Sequence, residues 1–252
     1  MNNLGNIFNS ISEHLGQTEK HFKGIELTNY SYKLNESTLN DTSFADILFD
    51  DFYAYGIMRI NHFAFGKSAE TIDHFWCSMC YLSDSPQEYN IWSVLNKFTN
   101  LNTLTLGLNV TEIPSNAIQP INGQQSNITD FTLRSMQSLT IKTNAFNNFR
   151  NLNQLMIQLT NINQIEKSGL NFVGESNSVL NLNGESNSLF LIFASVKFSD
   201  DSFAPDSFGD LQRPLNILFI STNITHIPES SFKTVLKNNE SKIKFDNSLI
   251  DC

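Results

Sequence analysis

Two stretches more than a hundred residues apart repeat one another. LNTLTLGLNVTEIPSNAI (Leu101 to Ile118) and LNILFISTNITHIPESSF (Leu215 to Phe232) agree at seven of 18 aligned positions. Both read L-x-x-L-x-L-x-x-N, with Ile220 in the third apolar place of the second copy, followed by Ile-Pro and an apolar residue four further on. A unit of this size cannot bury its own apolar face, so copies must stack and share a core. The L-x-L step puts two side chains on one face of a short strand, and strands from successive units then pair in parallel.

The pattern is that of a leucine-rich repeat. The same template fits Phe22-Ile25-Leu27, Phe44-Ile47-Phe49, Ile72-Phe75-Cys77, Ile128-Phe131-Leu133 and Leu152-Leu155-Ile157, with weaker copies at Leu180-Leu182 and Ile243-Phe245. Most spacings between copies fall in the range of about 20–29 residues expected of such repeats. The long step from Leu180 to Leu218 holds either an inserted loop or a degenerate unit built from Phe190, Phe193, Phe203 and Phe208. The predicted fold is α/β: a curved leucine-rich-repeat solenoid of about eight to nine repeats with a parallel β-sheet on its concave face. Leu104, Leu106, Leu155, Ile157, Leu218 and Ile220 are expected to point inward. Asn109 and Asn223 are expected to bond the backbone of adjacent turns, a ladder interrupted by Tyr30, Phe52, Cys80, Met136 and Thr160. Phe65, Phe98, Phe146, Phe172 and Phe232 read as an aromatic spine under the convex side. Ile7, Phe8, Ile11 and Leu15 recur at helical spacing, which predicts a capping helix over residues 1–20 and a solenoid over 21–252. The direct repeat GESNS, at 174–178 and 184–188, reads as a polar convex loop.

With 16 Lys and Arg against 25 Asp and Glu, the formal charge of −9 disfavours nucleic acid and anionic membranes as partners. No apolar run approaches the roughly 18 residues that cross a bilayer, and the first residues lack a basic and then apolar leader. Seven N-x-[ST] sequons, at Asn29, Asn35, Asn40, Asn109, Asn127, Asn223 and Asn239, permit N-glycosylation, a number that the abundance of Asn, Ser and Thr gives by chance. Cys77 and Cys80 form a C-x-x-C that admits three readings: buried core thiols, a disulfide, or a pair of metal ligands. Buried thiols suit the repeat best, because Cys77 falls on an inward position and no second C-x-x-C exists. No nucleophile elbow, H-E-x-x-H, phosphate loop or EF-hand pattern occurs, so neither catalysis nor a cofactor or metal is expected.

TEIPSNAIQPI (Thr111 to Ile121), KTNAFNNFRNLNQL (Lys142 to Leu155), FGDLQRPLNIL (Phe208 to Leu218) and the closing NSLIDC resemble extracellular leucine-rich-repeat proteins of arthropods. The resemblance is closest to small secreted mite proteins labelled oplophorus-luciferin 2-monooxygenase non-catalytic subunit-like, and it covers nearly the whole chain. It implies a secreted protein in which Cys252 opens a disulfide-bonded C-terminal cap truncated here. The function expected is non-catalytic binding of a protein partner outside the cell. Residues between the inward positions face solvent, and the partner surface is expected to run through Trp76, Met79, Thr105, Leu108, Thr132, Arg134, Met156 and Gln158. An intracellular leucine-rich adaptor, favoured by the missing leader and free cysteines, and a non-catalytic subunit of an oxidase are the alternatives.

Overall fold

The computed structural model describes residues 20–28, 38–39, 44, 47–56, 59–61, 63–80, 90–108, 110–119, 126–135, 137–173, 188–224 and 226–250. The expected capping helix over 1–20 therefore lies outside the described residues except for Lys20, as do Leu180, Leu182, most of the GESNS repeats and Cys252. The described residues form a parallel β-solenoid, rich in strand and poor in helix. The chain divides into two compact units, Met1–Asn109 and Val110–Cys252.

In the first unit, strands β1 (Lys20–Thr28), β3 (Ile47–Tyr55), β5 (His74–Cys80) and β6 (Thr103–Leu108) form a parallel sheet in that order, and β2 (Thr38–Leu39) pairs with β4 (Arg59–Ile60). A 3-10 turn at Gly66–Glu70 and a short helix at Ile91–Leu95 fill two of the connections. Alternation fixes the inward residues: Ile25, Phe52, Phe75 and Leu104 lie in register as one column, and Leu27, Ala54, Cys77 and Leu106 as the next. Phe44, Phe49, Phe52, Phe65, Phe75 and Phe98 pack edge-on and face-on beneath, with ring centroids 4.9–6.3 Å apart. Cys77 is fully buried and disulfide-bonded, so the free-thiol reading gives way to the disulfide.

In the second unit each turn carries two strands. β8 (Asp130–Ser135), β10 (Gln154–Gln158), β12 (Leu189–Ala194), β14 (Leu215–Ile220) and β16 (Lys242–Asp246) form the longer-stranded sheet. β7 (Glu112–Ile113), β9 (Ser138–Ile141), β11 (Asn161–Ile165), β13 (Lys197–Phe198), β15 (Asn223–Ile224) and β17 (Leu249–Ile250) form the second. The helix Glu229–Lys237 lies between β15 and β16. Phe131, Leu155, Leu191, Ile217 and Ile243 make one inward column, and Leu133, Ile157, Phe193, Phe219 and Phe245 the other. All five residues of the expected aromatic spine are buried.

The backbone turns its corners with left-handed residues. Leu159, Ser195 and Ser221 have φ of 55°, 53° and 49°, and each follows a strand of the longer sheet. Their N–H groups donate to the carbonyls of Ala194, Ile220 and Asp246, the last strand residues of the next turn, at 2.8–3.0 Å. A second column runs through Asn116, Asn144, Ser168 and Asp206, with φ of 51–57°, each N–H donating to the next member and the last to Ser230. After each of these four, and after Ser230, comes a small residue and then a large apolar one, all buried: Ala117-Ile118, Ala145-Phe146, Gly169-Leu170, Ser207-Phe208 and Ser231-Phe232. At Gly169 a Cβ would come within 2.9 Å of the Glu166 carbonyl and 3.1 Å of that of Ile141, so this position excludes a side chain.

Three expectations need correction. In β14, Leu215, Ile217 and Phe219 are buried, whereas Leu218 and Ile220 face out and are half-buried. Both alternations of LNILFI are nearly all apolar; Asn216 marks the outer one, and the Phe219 ring stacks between Phe193 at 5.4 Å and Phe245 at 4.9 Å. In β3 Phe52 and Ala54 point inward, so Phe52 is not a ladder residue; β12, which carries Phe190 and Phe193, pairs with β14, in keeping with the degenerate unit offered as one alternative there. Asn223 is exposed on β15 and does not form an internal ladder. Hydroxyls take that role instead: buried Ser135, Thr160, Ser202 and Ser231 donate to the carbonyls of Val110, Gln137, Ile162 and Ala204 at 2.7–3.0 Å.

Truncating Ile217 or Phe219 to Ala removes core volume and should cost about 2–5 kcal/mol. Leu218→Ala and Ile220→Ala should cost under about 1 kcal/mol in the same denaturant titration. Equal losses at all four positions would contradict the register.

Candidate functional site

Strand alternation gives the sheet of each unit an outer face with its own composition. In the first unit three rungs cross it: Gly24, Asp51, His74 and Thr103; Glu26, Tyr53, Trp76 and Thr105; Thr28, Tyr55, Ser78 and Gly107. Trp76 and Thr105 are neighbours in the middle rung, half-buried as an outward position requires. Trp76 lies 6.4 Å from the Tyr53 ring at a tilt of 47°. Met79 sits at the corner after Ser78 in left-handed conformation, φ 55°, where the pairing with β6 shifts by a residue. Leu108 closes β6, and its side chain lies outside the described residues.

Charged groups border the first rung. His74 Nδ1 is 2.7 Å from Asp51 Oδ1 and 3.4 Å from Asp73 Oδ2. His21 Nε2 is 2.7 Å from Asp50 Oδ1, and Lys23 Nζ approaches Asp51 at 3.5 Å and Asp50 at 3.9 Å. These are partly solvated pairs worth little individually. Among the described residues no group of three or more His, Cys, Asp or Glu is arranged to hold a metal ion. No described helix is long and apolar enough to cross a membrane.

In the second unit the expected residues occupy two adjacent rungs. Thr132 and Met156 share one, Arg134 and Gln158 the other, and Arg134 Nε donates to Gln158 Oε1 at 2.9 Å. The Gln158 amide in turn lies against Met156 Sδ. Continuing these rungs across β12 and β14 brings in residues outside the expected surface: Ile192 and Leu218 beside Met156, Ala194 and Ile220 beside Gln158. Phe190, opposite Gln154 and Asn216, is 43% exposed. Phe190, Leu218, Ile220 and Met156 thus gather an apolar patch on the solvent side of the sheet. The signal for it was present in the sequence: LFLIFA and LNILFI are apolar at odd and even positions alike, which an ordinary two-faced strand does not need.

Two electrostatic features lie off this face. Arg213 is buried; its Nη2 donates to the Leu152 carbonyl, Nε and Nη1 have no hydrogen-bond partner among the described residues, and burial pushes its pKa down to about 10. It therefore remains a cation at neutral pH. Next to the second sheet, Glu166 Oε2 accepts the Thr143 N–H at 2.9 Å and its hydroxyl at 3.1 Å, while Oε1 meets Lys142 Nζ at 3.1 Å. The backbone hydrogen bond from Thr143, with help from Lys142, holds the Glu166 carboxyl below the usual carboxylate range. The hydrogen bond and charge of Glu166 raise Lys142 in return.

Of the seven sequons, Asn29, Asn35, Asn40 and Asn109 lie outside the described residues, whereas Asn127, Asn223 and Asn239 are exposed. No protein-family model matches the chain, and no curated protein does. The resemblance to secreted mite proteins gains no support from these comparisons.

A carboxyl with a folded pKa below its unfolded value adds stability above the unfolded pKa, near about 4.3, and loses it as pH falls through the folded value. Glu166→Gln should therefore be less stable than the parent protein at pH 7, and the difference should vanish in strong acid. Thermal unfolding across a pH series reads this; a difference that persists at the lowest pH would assign the effect to packing.

Proposed function

We propose that the protein is a non-catalytic binding module, an extracellular leucine-rich-repeat solenoid of the α/β class that recognises a protein partner through the outer, concave face of its longer sheet. The observation that carries this is the apolar patch of Phe190, Leu218, Ile220 and Met156. A solvent-facing rung on a sheet already backed by a complete core has no packing need for these side chains, and contiguous exposed apolar surface marks interaction sites. Arg134, fixed by Gln158 at the edge of the patch, adds a residue type enriched at binding hot spots. The L-x-L strands, the parallel stacking and the small-then-large motif of each turn support the leucine-rich reading. The Cys77 disulfide supports an oxidising, extracellular setting.

The test is a pull-down from source tissue with the parent protein and with Phe190→Ser and Leu218→Ser side by side. Both positions are partly solvated, so the variants should keep the parent melting temperature. Loss of about 2 kcal/mol or more in affinity for the captured partner is expected if they are hot spots. Equal capture by all three proteins would move the interface elsewhere. Glycans on Asn127, Asn223 or Asn239 of the native protein are expected; bare asparagines at all three would favour the intracellular adaptor.

A further inference from the structure

The outer face of the first unit differs in kind from the apolar patch. Its middle rung sets Glu26, Tyr53 and Trp76 side by side on β1, β3 and β5, in register and about 4.8 Å apart from strand to strand. Glu26 is exposed, and among the described residues its carboxylate meets only the Thr28 hydroxyl, at 3.5 Å. Tyr53 is 40% exposed, and the 47° tilt between the Tyr53 and Trp76 rings keeps them from covering each other as a flat stack would. An electron-rich ring with an indole on one side and a carboxylate on the other is a seat for a cation, because the ring quadrupole and the carboxylate attract the same charge.

The charge on this face has the same sign: Glu26, Asp50, Asp51 and Asp73 lie on or beside it against Lys23, His21 and His74. Asp50, Asp51 and Asp73 are engaged by His21, Lys23 and His74, which leaves Glu26 as the carboxylate of this face without an ion-pair partner among the described residues. We infer that this face binds a basic protein segment, seating one of its Arg or Lys side chains over Tyr53 between Glu26 and Trp76. Arginine suits the seat better than lysine, since a planar guanidinium can lie on an aromatic ring while its edge donates to a carboxylate. The inference rests on the reading of the outer face as a binding surface but uses residues of the first unit alone.

The experiment titrates the full chain with a fluorescent Gly-Arg tetrarepeat peptide at 0.15 M salt, with a Gly-Glu peptide and chitohexaose as comparison ligands. Glu26→Gln, Tyr53→Ala and Trp76→Ala should each weaken the Gly-Arg peptide by about tenfold, and raised salt should weaken it further. Glu240→Gln removes the same charge from an exposed position of the second unit and should change affinity less than about twofold. Circular dichroism melts of every variant ensure that loss of binding is read on folded protein, and Glu26→Gln, at an exposed position, supplies the comparison should either aromatic variant unfold. Equal effects of Glu26→Gln and Glu240→Gln would reduce the binding to diffuse attraction and overturn the seat. So would preference for chitohexaose, which would make the rings a sugar platform, or the absence of Gly-Arg binding. Retention of partner capture that depends on Phe190 and Leu218 in that last case would show that the face of the second unit stands without this inference.

Discussion

Hydrogen bonds from the backbone of one turn to that of the next carry this fold. A parallel solenoid has little helix to satisfy amides locally, so apart from tight turns such as Ala145 to Lys142 and Phe149 to Phe146 its buried N–H and C=O groups find their partners across a turn. The strands do this along both sheets, and the left-handed corners continue it where the chain changes direction, as Leu159 to Ala194, Ser195 to Ile220 and Ser221 to Asp246 show. Carbonyls that the strands leave over are taken by buried Ser and Thr hydroxyls. The inward columns of Leu, Ile and Phe pack only because this network holds successive strands in one register.

Much of the core was legible in the sequence, and the reason is alternation. In TLTLGL, Thr103, Thr105 and Gly107 alternate with Leu104 and Leu106, and in QLMIQ the flanking Gln154 and Gln158 mark the outer face although Met156 lies between Leu155 and Ile157; the structure buries all four leucine and isoleucine side chains. In LNILFI both faces are apolar, and a template anchored on Asn223 chose the wrong one. The wrong face hides the patch, because Leu218 and Ile220 placed inside are no longer surface residues. Thr105, Thr132 and Arg134 lie on the outer face because they alternate with inward leucine and phenylalanine, and Trp76 and Met156 share rungs with Thr105 and Thr132.

The corner columns were not legible for a different reason. Left-handed backbone is usually signalled by glycine, but here it is taken by Leu159, Ser195, Ser221 and Asn247 on one side and by Asn116, Asn144, Ser168 and Asp206 on the other. The small-then-large pair that follows each of the second set is the better signature, since both positions are closed in by neighbouring turns. It spans residues as different as Gly169-Leu170 and Ser207-Phe208, and a search for leucine passes over it.

The left-handed corners also bear on how such a chain can fold. An L-residue in that conformation is disfavoured by roughly 1–2 kcal/mol when nothing compensates. At the seven corners Leu159, Ser195, Ser221, Asn116, Asn144, Ser168 and Asp206 the hydrogen bond comes from another turn, as with Asn116 to Asn144 and Ser168 to Asp206. A single turn on its own thus lacks the bonds that make its shape favourable, and no turn can serve as a stable seed alone. Structure must start from a pair of turns closing together and then spread one neighbour at a time, so a defect at any one corner acts as a stop to growth in that direction as well as a local loss.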